Sequence, residues 1–352
     1  MHAQRIIERR YGPYLDDHSA LVNLTSELTY TPAWWVPGAH LQTLWGKLAR
    51  RSRPLAVRAE RWATPDGDEV ELQRLDAPSG TRPPRLVVLH GLEGTIRSHY
   101  LRGVMSAARA RGWAADALIF RGCNGEVNRV PRMYHSGETS DLDFVVRRLV
   151  HEHPGQPVVL AGFSLGGNVL LKWLGENGDN LPSEVRAAAA VSVPFDLERG
   201  ARKLERGFSR IYTHHFLRSL RQKALAKLAR FPGLFDPIRL AQARSLFEFD
   251  DCVTSPLHGF AGASDYYTRS SSLQYIGGVH RPTLLLSSYD DPFLPPEVLY
   301  AVSVVARNNP DIAVEFWKYG GHVGFVSGHI PFAPAYYAEQ RVVEFLEHNL
   351  SQ

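Results

Sequence analysis

Ser164 stands in Gly162-Phe163-Ser164-Leu165-Gly166, directly after the apolar run Val158–Ala161 and directly before a helical pattern that runs from Gly167 to about Gly175. A serine on a strand-to-helix turn is lifted above the sheet edge, where its hydroxyl can act as a nucleophile. Such a turn brings backbone segments so close that the residues two before and two after must be nearly free of side chain, and Gly162 and Gly166 meet that need. The helix start supplies unpaired backbone N–H groups where an oxyanion would form.

A serine hydroxyl near neutral pH needs a base, and the base needs an acid to orient it. Behind a nucleophile of this kind the acid and then the histidine follow in the chain, each after a later strand. Two strand ends offer these types. The run Leu285–Ser288 leads into Tyr289-Asp290-Asp291-Pro292, and the next leads into Trp317-Lys318-Tyr319-Gly320-Gly321-His322. His322 is one of 15 histidines, but its position after a glycine pair at a strand end marks it as the expected base. Asp291 is favoured as the acid, because Asp291-Pro292-Phe293-Leu294-Pro295 turns the chain at once and leaves Asp290 as a turn or supporting residue. The oxyanion needs two donors, for which the amides of Leu165 and of Leu92 in His90-Gly91-Leu92-Glu93-Gly94 are the candidates. His90 and Gly91 then support the site.

Short apolar runs alternating with amphipathic stretches must position these residues, which is the pattern of βα units and a mostly parallel sheet. Strands are expected at 85–90, 114–120, 157–161, 187–193, 282–287 and 313–319, and helices near 100–111, 141–151 and 335–350. Ser140-Asp141-Leu142-Asp143 reads as a capping box with Asp in place of Glu or Gln. The alternation stops between about Phe195 and Val279. The expected organisation is an N-terminal arm over 1–60, a core over 61–196 and 280–352, and a helical cap over 197–279, inserted before the strand that carries the acid.

The 352 residues carry a formal charge of only +4, with 44% hydrophobic and 22% charged residues, which describes a chain that buries a core. Two cysteines, Cys123 and Cys252, are too few for a disulfide framework, so a cytoplasmic location with reduced thiols is expected. No apolar run is long enough for a membrane span, and no secretory signal is readable. No metal site is expected, because His151/His153 and His214/His215 lack ligand spacing. No cofactor is expected either, since no phosphate-cradling glycine loop is present.

Segment 198–230 holds ten Arg and Lys against Glu198 and Glu205, so the rest of the chain is slightly acidic. Leu217, Leu220, Ala224 and Leu228 recur at helical spacing and give this segment an apolar face and a basic face. The basic face is either a solvated outer surface or a transient contact for anionic membranes through residues such as Arg218, Arg221 and Lys227. The confined charge and the lack of a recognition motif speak against nucleic acid. Nothing implies an obligate protein partner.

Read together, these residues resemble the α/β-hydrolase superfamily, and more narrowly its YheT-like branch, family 4 of the AB hydrolases. The specific blocks are Pro32-Ala33-Trp34-Trp35-Val36-Pro37-Gly38-Ala39-His40-Leu41-Gln42-Thr43-Leu44-Trp45, His90–Gly94, Phe120-Arg121-Gly122-Cys123-Asn124-Gly125-Glu126, Tyr134–Thr139, Gly162–Asn168 and Gly320–Phe325. The resemblance implies an α/β-hydrolase fold and hydrolysis of carboxylic esters by Ser164, Asp291 and His322, on small-molecule or lipid acyl esters such as acylglycerols or phospholipids. Eukaryotic members are lipases or phospholipases with an N-terminal membrane segment, from which this chain departs. An acyltransferase with the same three residues and a non-catalytic lipid-binding module are the alternatives.

Overall fold

A computed structural model of the protein describes residues 29–50, 54–78, 82–331 and 333–350. Residues 1–28 and 51–53 of the expected N-terminal arm lie outside the described residues.

Eight strands form one sheet in the order β1-β2-β4-β3-β5-β6-β7-β8. β1 (Arg58–Ala63) and β2 (Glu69–Leu75) are a hairpin, and β2 runs antiparallel to β4 (Ala114–Ile119). From there β3 (Arg85–Leu89), β5 (Val158–Phe163), β6 (Val185–Val191), β7 (Thr283–Ser288) and β8 (Ile312–Trp317) continue parallel. β3, β4, β5 and β7 are buried along their whole length. That is the physical meaning of their mostly apolar sequences, since helices cover both faces of a parallel sheet.

The helices His99–Ala110, Ser140–Glu152, Leu165–Asn177 and Pro296–Ala306 make the crossovers, and Tyr337–Leu350 packs back on the sheet. The hairpin β1-β2 went unread because its residues are charged, yet charge is what fixes it. Arg74 and Arg85 both reach the fully buried Asp116 on β4, at 3.2 and 2.8 Å. Arg121 is held among Asp66, Asp68 and Asp141. Removing one partner of such a buried set strands the others and costs about 3–5 kcal/mol.

Two expectations are corrected here. The sheet starts at Arg58, so the core takes in residues assigned to the arm. Ser140-Asp-Leu-Asp143 is not a capping box: Ser140 is already the first helical residue, Thr139 precedes it without a side-chain cap, and the Asp143 carboxylate receives Arg147 and the Trp173 indole.

Between β6 and β7 the chain leaves the sheet as helices Leu197–Leu204, Arg210–Arg230, Pro237–Gln242, Leu246–Phe249, Ser255–His258 and Ala263–Ser270. They bury small clusters of their own. One joins Leu217, Leu220 and Ala224 to Phe249 and Val253, and another joins Leu197 and Ala201 to Tyr266 and Tyr267. The helical spacing of Leu217, Leu220 and Ala224 therefore marks a face packed inside this segment and not a membrane-facing one.

Candidate active site

Ser164 closes β5 with φ +52°, a conformation sparsely populated by non-glycine residues, and the helix Leu165–Asn177 starts on the next residue. The surrounding glycines are there for space. A Cβ on Gly162 would stand 2.5 Å from the Gly166 carbonyl oxygen, and one on Gly166 would stand 2.5 Å from that of His90. The Ser164 amide donates to the Val191 carbonyl at 2.8 Å, so the turn is anchored to the neighbouring strand.

Asp291 and His322 come from the loops after β7 and β8. His322 Nε2 lies 2.9 Å from Ser164 Oγ, and its Nδ1 lies 2.8 Å from Asp291 Oδ2. The carboxylate accepts from Nδ1–H, which leaves Nε2 as the acceptor facing the serine hydroxyl. Asp291 is also fixed by the Phe293 amide at 2.7 Å, and the Phe293 ring stacks on the imidazole at 4.0 Å between centroids. Asp290 turns the other way and accepts the Gly321 amide at 2.9 Å, supporting the histidine loop from below. Burial pushes its carboxyl above the ordinary range.

His90 is fully buried. Its Nδ1 faces the Gly91 carbonyl at 2.7 Å, while its Nε2 accepts the Phe120 amide at 3.1 Å. Burial holds its pKa down to about 4, so it stays a neutral brace for the loop. In that loop the Gly91 amide donates to the Tyr100 hydroxyl and the Glu93 amide to the Tyr134 hydroxyl. Among the described residues, the Leu92 and Leu165 amides donate to no protein group. Both are thus available to a ligand oxygen.

Sequence reasoning missed how the loop of His322 is held. The His322 amide donates to Thr43 Oγ1 at 2.9 Å, and Gln42 accepts the Val326 amide while donating to the carbonyls of Val36 and Val326. The Val323 amide donates to Ser192 Oγ at 2.9 Å. Gly321, with φ +61°, lies so close to this helix that a Cβ would meet the Ala39 carbonyl oxygen at 2.5 Å. The only available signal was the block Trp34–Trp45, whose Gln and Thr carry no chemistry of their own.

A cavity of about 840 Å³ opens at Ser164 and His322. Its wall on the side of the inserted helices is largely apolar, with Leu197, Leu204, Leu220, Leu246, Phe249 and Leu257. The exposed lining residues Lys47, Arg97 and His215 mark its opening.

The basic helix Arg210–Arg230 is only partly a free basic surface. Lys227 is buried, with Nζ donating to the Asn128 and Val130 carbonyls, and Lys223 pairs with Glu93 at 2.7 Å while approaching Cys123 Sγ at 3.2 Å. Arg221 donates to the Ala243 carbonyl. Of Arg218, Arg221 and Lys227, only Arg218 is exposed. Cys123 is buried, and burial pushes its thiol up to about 11 despite the lysine beside it. Ser136 belongs to the buttress between core and inserted helices, its carbonyl accepting from Asn168 and its amide donating to the Tyr266 hydroxyl.

The family model described as the alpha/beta hydrolase fold matches residues 84–326. The Escherichia coli (strain K12) protein YheT, an esterase by provisional name, is 39% identical over 326 residues, covering 92% of this chain and 94% of its own. The Mus musculus phospholipase ABHD3 is 31% identical over 330 residues, covering 91% and 78%. Among solved structures, the Pyrococcus furiosus esterase Pf2001 superposes with a TM-score of 0.56 at 17% identity, over 93% of this chain and 99% of that one, a likeness of fold. With that model matching most of the chain and these relatives aligned over nearly all of it, the chain belongs to the α/β-hydrolase fold family, in its YheT-like branch.

Proposed function

We propose that the protein is a serine hydrolase of carboxylic esters, esterase- or lipase-like, whose catalytic residues are Ser164, His322 and Asp291. The observation that carries this reading is the hydrogen-bonded row Ser164–His322–Asp291 at the wall of a large, mostly apolar cavity. Ser164 Oγ attacks the ester carbonyl as His322 Nε2 takes its proton. The oxyanion is held by the Leu92 and Leu165 amides, and stabilisation of this kind is worth about 3–4 kcal/mol per donor. The alkoxide leaves with the proton from His322. Water, deprotonated by the same nitrogen, then cleaves the acyl-enzyme and returns Ser164. Asp291 keeps the imidazole in the required tautomer.

The apolar wall suits an acyl chain, in keeping with relatives named phospholipase and monoacylglycerol lipase. Buried thiols at Cys123 and Cys252 fit a reducing, cytoplasmic location. No helix of the described residues is long and apolar enough to cross a membrane. Contact with an anionic lipid surface falls to Arg206, Arg210 and Arg218, beside the exposed Phe208 and Ile211. Ser164→Ala tests the central reading: labelling by a fluorophosphonate should vanish and hydrolysis of p-nitrophenyl acyl esters should fall by about 10⁶-fold in kcat, with the fold intact. Undiminished labelling of that variant would overturn it.

A further inference from the structure

The cavity wall contributed by the inserted helices carries a single carboxylate. Asp250 lines the cavity at the start of a π-helical turn, Asp250–Thr254, a widening of the helix that often accompanies a functional site. Its carboxylate accepts from Thr254 Oγ1 at 2.6 Å and from the Tyr267 hydroxyl at 2.7 Å. Among the described residues it forms no ion pair, whereas the other carboxylate of the lining, Glu93, is neutralised by Lys223. The adjacent Asp251 has its own partner in Arg239.

A carboxylate enclosed by protein with two hydroxyl donors and no counter-ion is costly. Burial pushes the Asp250 carboxyl up to about 6, while the hydrogen bonds from Thr254 and Tyr267 favour its ionised form. The imidazoles that line the same region supply no positive charge: burial holds His258 down to about 4, and burial together with His258 keeps His135 well below its ordinary value. Aromatic faces stand beside the carboxylate. Tyr267 is bonded to it, Tyr266 lies 5.1 Å from Tyr267 between centroids, and Phe249 precedes it in the chain; all three line the cavity. Negative charge and aromatic rings together form the environment that recognises an ammonium group.

We propose that Asp250, with Tyr266, Tyr267 and Phe249, forms a subsite for a cationic group of the substrate, so that the enzyme favours esters carrying a quaternary or tertiary ammonium. This rests on the ester-hydrolase reading above and adds to it a substrate class. A carboxylate with a purely structural role in the inserted helices would affect all esters alike, whereas a subsite discriminates between a cation and its uncharged twin.

The test compares kcat/KM for choline butyrate and for 3,3-dimethylbutyl butyrate, which share shape and differ in charge. The wild-type enzyme should prefer the cationic ester by about tenfold, and Asp250→Asn should bring the ratio to about one. A wild-type ratio near one, or a preference that survives Asp250→Asn, overturns the proposal. Should the variant fail to fold, tetramethylammonium decides: it should inhibit the wild-type enzyme competitively where the uncharged 2,2-dimethylpropanol does not, and equal behaviour of the two overturns the subsite. Failure to turn over either ester would fall instead on the ester-hydrolase reading.

Discussion

Around Ser164 and His322 the backbone is tied to the sheet, its loops and the helix Ala39–Leu48, through Val191, Thr43, Ser192 and Asp290. Across residues 197–279 the fixation is of another kind, resting on small internal clusters and a few polar ties to the core such as Lys227 to Asn128 and Ser209 to the Pro292 carbonyl. The first region holds the proposed reacting groups in place. The second sets what fills the space above them. In a molecule divided this way, rate and selectivity should respond to different substitutions.

The sharpest way to break the division is at Gly321. Gly321→Ala places a methyl against the Ala39 carbonyl in a left-handed conformation, which displaces the His322 loop. A loss of about 10²-fold in kcat is expected from misplacement of the base alone, read in steady-state kinetics with folding checked by thermal denaturation. A variant with normal kcat would show that the loop tolerates movement and that the comparison is wrong. Thr43→Val is gentler, keeping the shape but removing the acceptor of the His322 amide. About tenfold lower kcat with little change in KM is expected, because an unsatisfied buried amide costs about 1–3 kcal/mol.

In the second region, Lys227→Met leaves the Asn128 and Val130 carbonyls without their donor. Stability should fall by about 1–3 kcal/mol in denaturant titration, while hydrolysis of a small neutral ester stays within about twofold. Equal losses of stability and kcat would mean that this segment also positions the reacting groups. Smallest of all, Arg206→Gln, Arg210→Gln and Arg218→Gln together should weaken binding to phosphatidylglycerol vesicles, with each charge worth about 1 kcal/mol at the surface, and should spare the small ester. Unchanged vesicle binding would make this a solvated face only.

The parallel strands were legible because burial on both faces leaves short apolar runs, as in Leu86–Leu89 and Leu284–Leu286. β1 and β2 were not, because Glu71, Arg74 and their partners replace the expected alternation with paired charges. The elbow announced itself through glycines two residues either side of a serine, and the acid and histidine through strand ends. By contrast, nothing local distinguishes Thr43 or Gln42, whose partners lie 279 and 284 residues away. Lys227 misled for a related reason: a lysine on a basic helix reads as surface until the carbonyls of Asn128 and Val130 are brought to it. Composition reports charge, whereas only packing reports whether that charge meets water.

The bond from the His322 amide to Thr43 has a consequence for biosynthesis. During synthesis the elbow bearing Ser164 leaves the ribosome well before Asp291 and His322, and the helix Ala39–Leu48 must wait for the last part of the chain before it has its partner. A nascent chain therefore carries a serine with neither acid nor base. On the proposed reading, the row Ser164–His322–Asp291 is complete only when these two distant parts of the polypeptide meet, so a chain ending before Asp291 should not react with a fluorophosphonate.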